Sequence, residues 1–210
     1  MTNFYTFFIF VSSSYLLGSI SFAIVVSKFR GLKDPRIFGS GNPGATNVFR
    51  SGDRIAGLLT FTGDALKGWI VVVGSELILR LYFETTLNSK GNTLVALCSI
   101  FVLLGHIYPV FHNFKGGKGV ATAFGIFYGG FLELGLSATL IWVFAFLVTK
   151  ISGLSAILTS LAVLMISIYL MFANEQEYFI LNFTHAFIAA ILLLRHFSNV
   201  VALIENHLKR

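Results

Sequence analysis

Charge is what this chain has least of. Asp, Glu, Lys and Arg make up 11% of its residues, against 56% hydrophobic ones. A soluble domain carries about 25% charge, so a globule of this composition could not cover its surface with polar groups. Cysteine is nearly absent as well: Cys98 is the single copy and lies in an apolar run. That excludes an intrachain disulfide and a metal site built on a cysteine pair, and no metal is expected. No Lys or Arg precedes the first apolar run, residues 4–27. The basic start of a secretory signal is therefore missing, and the run reads as a first membrane helix. Neither a fixed-period repeat nor a low-complexity tract is present, and the Gly-x-Ser-x-Gly and His-Glu-x-x-His hydrolase signatures are missing.

Apolar helix fills the rest. Mean hydropathy is +0.82, and about 20 residues cross a bilayer core at 1.5 Å each. Apolar runs cover residues 4–27, 55–83, 94–111, 120–149, 154–172 and 178–194, with Gly63-Asp64 a possible break in the second. Fifteen Lys and Arg against nine Asp and Glu give +6. These charges fall between the runs, a distribution that orients a membrane protein and does not call for nucleic acid.

With the basic loop 28–54 inside, one helix over 120–149 would put Lys150 and the Lys209-Arg210 tail outside. Two crossings return them to the cytoplasm together with Arg195 and leave Glu84, Glu133, Glu175 and Glu177 outside, as the positive-inside rule prefers. Gly129-Gly130, followed by Glu133 and Gly135, offers the turn. Each half would then be about 21 Å long, short of a core of roughly 30 Å. The expectation is an all-α, polytopic transmembrane bundle of seven helices. Its N-terminus is outside and its C-terminus cytoplasmic, and one domain covers residues 1–210.

Four polar segments interrupt the apolar pattern and share the cytoplasmic side. In the first, Gly39, Ser40, Gly41, Asn42, Pro43, Gly44, Thr46 and Asn47 precede Arg50. Its glycines can turn backbone N–H groups toward one anion, with side-chain donors and a guanidinium alongside; an ordinary glycine-rich loop is the plainer reading. In the second, Asp64 and Lys67 lie one helical turn apart and should face a cavity or the aqueous mouth; the plainer reading is a stabilising ion pair. The third runs from Gly105-His106 to Lys115-Gly116-Gly117-Lys118-Gly119, just before an apolar helix. A helix N-terminus with glycines around a lysine suits phosphate, yet Gly119 stands where a Walker A loop has Ser or Thr. Lys115 alone reads as a basic turn. The fourth is Arg195-His196-Phe197-Ser198-Asn199, with His196 and Asn199 one turn apart. His185, in mid-helix, reads as a hydrogen-bonded packing residue. Residue chemistry alone reaches a membrane protein that handles phosphate. A transporter or channel for small organic phosphates is the competing class, and a non-catalytic partner of lipid enzymes is a third.

At these motifs the sequence resembles the bacterial acyl-phosphate:glycerol-3-phosphate acyltransferases. The similarity runs through Tyr15–Ile20, GSGNPGATNV at 39–48, DALKG at 64–68 and FKGGKGVAT at 114–122 to His196 and Asn199. The resemblance implies seven helices, a cytoplasmic site in the inner membrane, and acyl transfer from acyl phosphate to the 1-hydroxyl of sn-glycerol 3-phosphate. Lysophosphatidic acid and inorganic phosphate are the implied products, and an upstream phosphate acyltransferase is a possible partner supplying the donor. By the same resemblance Ser40 and Arg50 form an essential pair, and the 116–119 segment binds glycerol 3-phosphate. His196 and Asn199 form an active-site pair, and either Ser152 or Ser155 lines the site. No cofactor is implied. The pattern departs at Ser21 and Ala23, where Pro and Gly are usual, and at Phe197 and Val201, where basic residues are.

Overall fold

The computed structural model describes residues 4–83, 89–173 and 178–197. The expectations placed on Asn199, on Glu84, Glu175 and Glu177, and on Lys209 and Arg210 lie outside them. The described chain is helical: α1 (Phe4–Gly18), α2 (Phe22–Phe29), α3 (Ala45–Phe49), α4 (Arg54–Phe83) and α5 (Ser89–Ile107) come first. After a 3₁₀ turn at Val110–His112 come α6 (Val120–Gly130), α7 (Leu132–Thr149), α8 (Ser152–Ala173) and α9 (Phe179–Arg195). By length and composition four helices among the described residues can cross a membrane, and the bent pair α1/α2 raises this to five. α6 and α9 are shorter apolar helices.

Apolar residues of α4, α5, α6 and α9 meet in the interior, among them Val72, Leu103, Ile107, Ile126 and Ile188. Leu140, Phe144, Val148, Leu161 and Met165 of α7 and α8 face outward. Outward apolar side chains of this size suit hydrocarbon, where association rests on close packing between helices.

Three expectations change. Residues 4–27 are not one helix: α1 stops at Gly18 and α2 resumes at Phe22, bent by 44°. Ile24 N–H bonds to Ser21 O, so the Ile20 carbonyl leaves the ladder and accepts instead from Lys67 Nζ at 2.8 Å. Conversely, Gly63-Asp64 breaks nothing. α4 runs through it, and Gly63 makes room for Phe22, whose ring a Cβ there would strike. The 120–149 stretch does divide, at Phe131 in extended backbone (φ −143°, ψ 118°), but unequally. α6 has 11 residues, about 16 Å, and α7 has 18, about 27 Å.

α6 is tolerable at that length because protein surrounds it: it packs on α4, α5, α7 and α9. Its backbone lies directly on α4. A Cβ on Gly125 would collide with the Ala65 carbonyl, and one on Gly68 with the Thr122 carbonyl. Gly125→Ala is expected to force the helices apart and lower stability by about 1–3 kcal/mol. Gly74→Ala, with open space around it, gains up to about 1 kcal/mol of helix propensity. Thermal unfolding of the two variants in detergent tests the contrast.

Candidate active site

Three of the four polar segments come together where α5 and α9 end and α6 begins; the described part of the fourth, Arg195 and His196, joins them there.

The first loop is organised by Asn47 from within. Ser40 N–H donates to Asn47 Oδ1 at 2.9 Å, while Nδ2 donates to the carbonyls of Pro35 (2.7 Å) and Phe38 (3.0 Å). The amide is buried and committed to the loop, which corrects its expected role as a donor to an anion. Gly39 and Gly41 take left-handed backbone (φ 59° and 69°). Arg50 Cδ stands 3.5 Å from where a Gly39 Cβ would be, so Ser40 and Arg50 flank one glycine. Ser40, Thr46 and Arg50 are exposed, and Pro43 is buried. Thr46 and Asn47 belong to α3, with Gly44 as its N-cap, and Asn42 Nδ2 lies close to Gly44.

Behind the loop, Lys67 Nζ reaches Asp64 Oδ1 at 2.7 Å, with both side chains only 1% exposed. The pair faces protein, not an open mouth. His106 Nδ1 stands 3.4 Å from the same carboxylate oxygen without forming a hydrogen bond. Its Nε2 sits against Gly117, so closely that a Cβ there would overlap it, and the Pro43 carbonyl lies 3.0 Å from the same point. Gly117 is thus where the first loop, the ion pair's histidine and the glycine–lysine segment meet.

That segment is strapped to the end of α5. Gly116 N–H donates to Ile107 O (3.2 Å) and Gly117 N–H to His106 O (3.1 Å). Both amides are spent on backbone and are not open to the phosphate expected at this helix start. What remains is the first turn of α6, whose N–H groups have no intrahelical acceptors, entered through Gly119 at φ 92°. Lys118 beside it is held below the usual lysine range by burial and by Arg195. Lys115 is exposed, in a turn closed by its N–H on His112 O.

From the fourth segment, Arg195 Nη2 donates to Gly117 O at 3.5 Å, and its Cζ lies 5.7 Å from the Tyr108 ring centroid. His196 is buried, with Nδ1 2.8 Å from Leu192 O. A carbonyl only accepts, so Nδ1 carries the proton and, in the neutral ring, Nε2 is left as an acceptor. Burial pushes this imidazole below its ordinary pKa; the Leu192 carbonyl opposes the shift, and Lys118 and Arg195 add to it.

Ser152 opens α8, partly exposed, whereas Ser155 is buried and donates to Ile151 O at 3.0 Å. His185 is a packing residue of a different kind from that expected. Phe127 and Phe131 meet it edge-on, and its Nδ1 has no hydrogen-bond partner. An apolar groove of about 490 Å³ runs between α1 and α5 past Phe7, Val11, Leu97 and Phe101 to Tyr15, whose hydroxyl donates to Tyr108 O at 2.7 Å. Sequence reasoning reads Arg195 as a topogenic charge and gives Tyr108 no role; their place in a motif beside His196 and His106 is the available signal.

An all-helical bundle with outward apolar side chains, its cations gathered at one end, belongs to the class of integral membrane proteins. Comparison narrows the class. The family model described as glycerol-3-phosphate acyltransferase matches residues 8–206, and the chain belongs to that family. A glycerol-3-phosphate acyltransferase of Nitrosomonas eutropha is 45% identical over 198 residues, covering 94% of each chain. One from Chromobacterium violaceum is 44% identical over 201 residues, covering 96% of this chain and 93% of its own. The crystal structure of PlsY (YgiH), an integral membrane glycerol 3-phosphate acyltransferase, in its glycerol 3-phosphate form superposes with a TM-score of 0.78 at 32% identity. It covers 96% of this chain and 93% of its own.

Asp64→Asn strands the Lys67 charge in the interior and is expected to cost about 3–5 kcal/mol. Replacing both residues, Asp64→Leu with Lys67→Met, recovers part of this and falls short by the orphaned Ile20 carbonyl, about 1–3 kcal/mol. Thermal unfolding of the single and double variants measures both.

Proposed function

We propose that this protein transfers a fatty acyl group from acyl phosphate to the 1-hydroxyl of sn-glycerol 3-phosphate. The observation that carries the reading is the convergence at Gly117 of the first loop, the Asp64–Lys67–His106 cluster and the Arg195–His196 helix end. We place this site on the cytoplasmic face of the inner membrane, in a seven-span arrangement. Residues 1–210 act as one catalytic unit.

Acyl phosphate is a mixed anhydride, so its carbonyl is already activated without ATP or metal. The difficulty is bringing two phosphate groups together, each of about −1.5 to −2 charge. Lys118, Arg50 and the first-turn amides of α6 offset that repulsion and stabilise the developing oxyanion. The acceptor hydroxyl attacks the carbonyl carbon, the carbon–oxygen bond to phosphate breaks, and inorganic phosphate leaves. The hydroxyl proton passes to Nε2 of neutral His196, the ring orientation fixed by Leu192 O. Ser40 and Asn199 hydrogen-bond substrate, and Ser152 lines the entrance. Asp64, Lys67 and His106 act from beneath by holding the glycine strap. The groove ending at Tyr15 gives the donor's acyl chain an apolar path from the bilayer.

Purified protein in detergent, given acyl phosphate and glycerol 3-phosphate, is expected to release phosphate with stoichiometric lysophosphatidic acid. A phosphate transporter would show transport in sealed vesicles and no such release. His196→Ala is expected to lower kcat by about 10²–10⁴-fold; an unchanged kcat with only a weaker KM removes the base role. Because His196 lies below its ordinary value, it stays neutral to lower pH than a free histidine. The acid limb of the kcat/KM profile, which reports the free enzyme, should therefore fall below about 6.5. Ser40→Cys and Lys115→Cys are both expected to react with an impermeant thiol reagent from the cytoplasmic side; labelling from opposite sides contradicts a shared basin.

A further inference from the structure

Arg195 is a partly buried cation without a counter-charge among the described residues. Elsewhere in the described chain, several cations have one: Arg30 pairs with Asp53 at 2.8 Å, Arg36 with Asp34 at 2.6 Å, and Lys67 with Asp64 at 2.7 Å. No carboxylate among the described residues lies within ion-pair distance of Arg195. Its Nε is wholly buried without a hydrogen-bond partner among the described residues, and the acceptor it reaches there, Gly117 O, is a long 3.5 Å away.

Structural explanations account for little of this. A cation at the C-terminus of α9 gains only weakly from the helix dipole. Stacking on Tyr108 adds about as much at an accessible site. Removing an unpaired guanidinium nitrogen from water is unfavourable, so a neutral residue would serve packing better. The position is informative too. Gly117 is bonded to Arg195 and directly precedes Lys118, so the guanidinium stands within one residue of the loop lysine and of the N-terminal turn of α6. Its charge is felt at both Lys118 and His196.

We propose that Arg195 binds a substrate phosphate directly: held by the Tyr108 ring and the Gly117 carbonyl, its fork joins Lys118 and the first-turn amides of α6 around one dianion. Arginine suits the place because a planar fork can give two parallel hydrogen bonds to one phosphate while its face stacks on an aromatic ring. The proposal rests on the acyltransferase reading and adds to it a residue that positions the phosphate beside His196.

Inorganic phosphate is the probe, since its binding is read without turnover. Titrated against the purified full chain in detergent, phosphate is expected to bind Arg195→Ala and Arg195→Gln about 10- to 100-fold more weakly than wild type. Arg195→Lys, which keeps charge and loses the fork, should lie between. In the acyl-transfer assay KM for one phosphate substrate should rise by a similar factor with kcat less affected. Guanidinium at non-denaturing concentration should restore part of the Arg195→Ala loss. Unchanged phosphate affinity in Arg195→Gln overturns the proposal. So does a drop in thermal stability with no difference between Arg195→Lys and Arg195→Ala and no guanidinium rescue, which marks a latch between α9 and the strap. Should Arg195→Ala fail to fold, Arg195→Lys decides alone: weaker phosphate binding supports the proposal and unchanged affinity overturns it. Arginine-dependent phosphate binding without acyl transfer would sink the enzyme reading and keep this one; an active enzyme whose phosphate affinity ignores Arg195 does the reverse.

Discussion

The buried bond between Lys67 and Asp64 is the constraint on which the rest of this architecture depends. An ammonium in the interior of an apolar bundle is tolerable only with a counter-charge and its remaining protons satisfied. Asp64 supplies the charge, and the Ile20 carbonyl supplies an acceptor. That second contact is made to a carbonyl that has left the helical ladder, at the break in the first membrane segment. Irregular backbone at membrane depth survives where protein covers it, and here the lysine caps the break.

From that break the site follows by contact. The bend turns α2 so that Phe22 rests on Gly63, and the chain leaving α2 forms the first loop. On its other side the carboxylate lies 3.4 Å from His106 Nδ1, and the His106 ring backs Gly117. The strap at Gly116 and Gly117 delivers the chain into α6, and α6 can begin so deep because its Gly125 lies on the α4 backbone. Ion pair, strap and helix start are therefore one mechanical unit. The side chains proposed for chemistry, His196 among them, are set against it by the end of α9.

Much of this was legible in the residues. Low charge and long apolar runs gave the helical membrane bundle, because no other covering for so much apolar surface exists. The Gly129-Gly130 pair marked the division between α6 and α7, and the motif residues around 39–50, 114–122 and 196 marked the family that comparison shows. What escaped notice involved groups whose roles depend on distant partners. Asn47 looked like an anion donor, yet its amide closes its own loop on Pro35 and Phe38. Gly116 and Gly117 looked like open amides, yet α5 carbonyls take them. Arg195 looked like a topogenic charge until Gly117 and Tyr108 appeared beside it.

By itself, then, the sequence determined the medium, the helical class and the chemistry available at each polar interruption, since hydropathy and residue type act locally and survive without coordinates. Only the tertiary structure decided where the first segment breaks, how unequally 120–149 divides, and which N–H groups and cations remain for a ligand. Those outcomes depend on which donor reaches which acceptor across tens of residues of intervening chain. Spacing along the sequence does not encode that competition; packing in three dimensions resolves it.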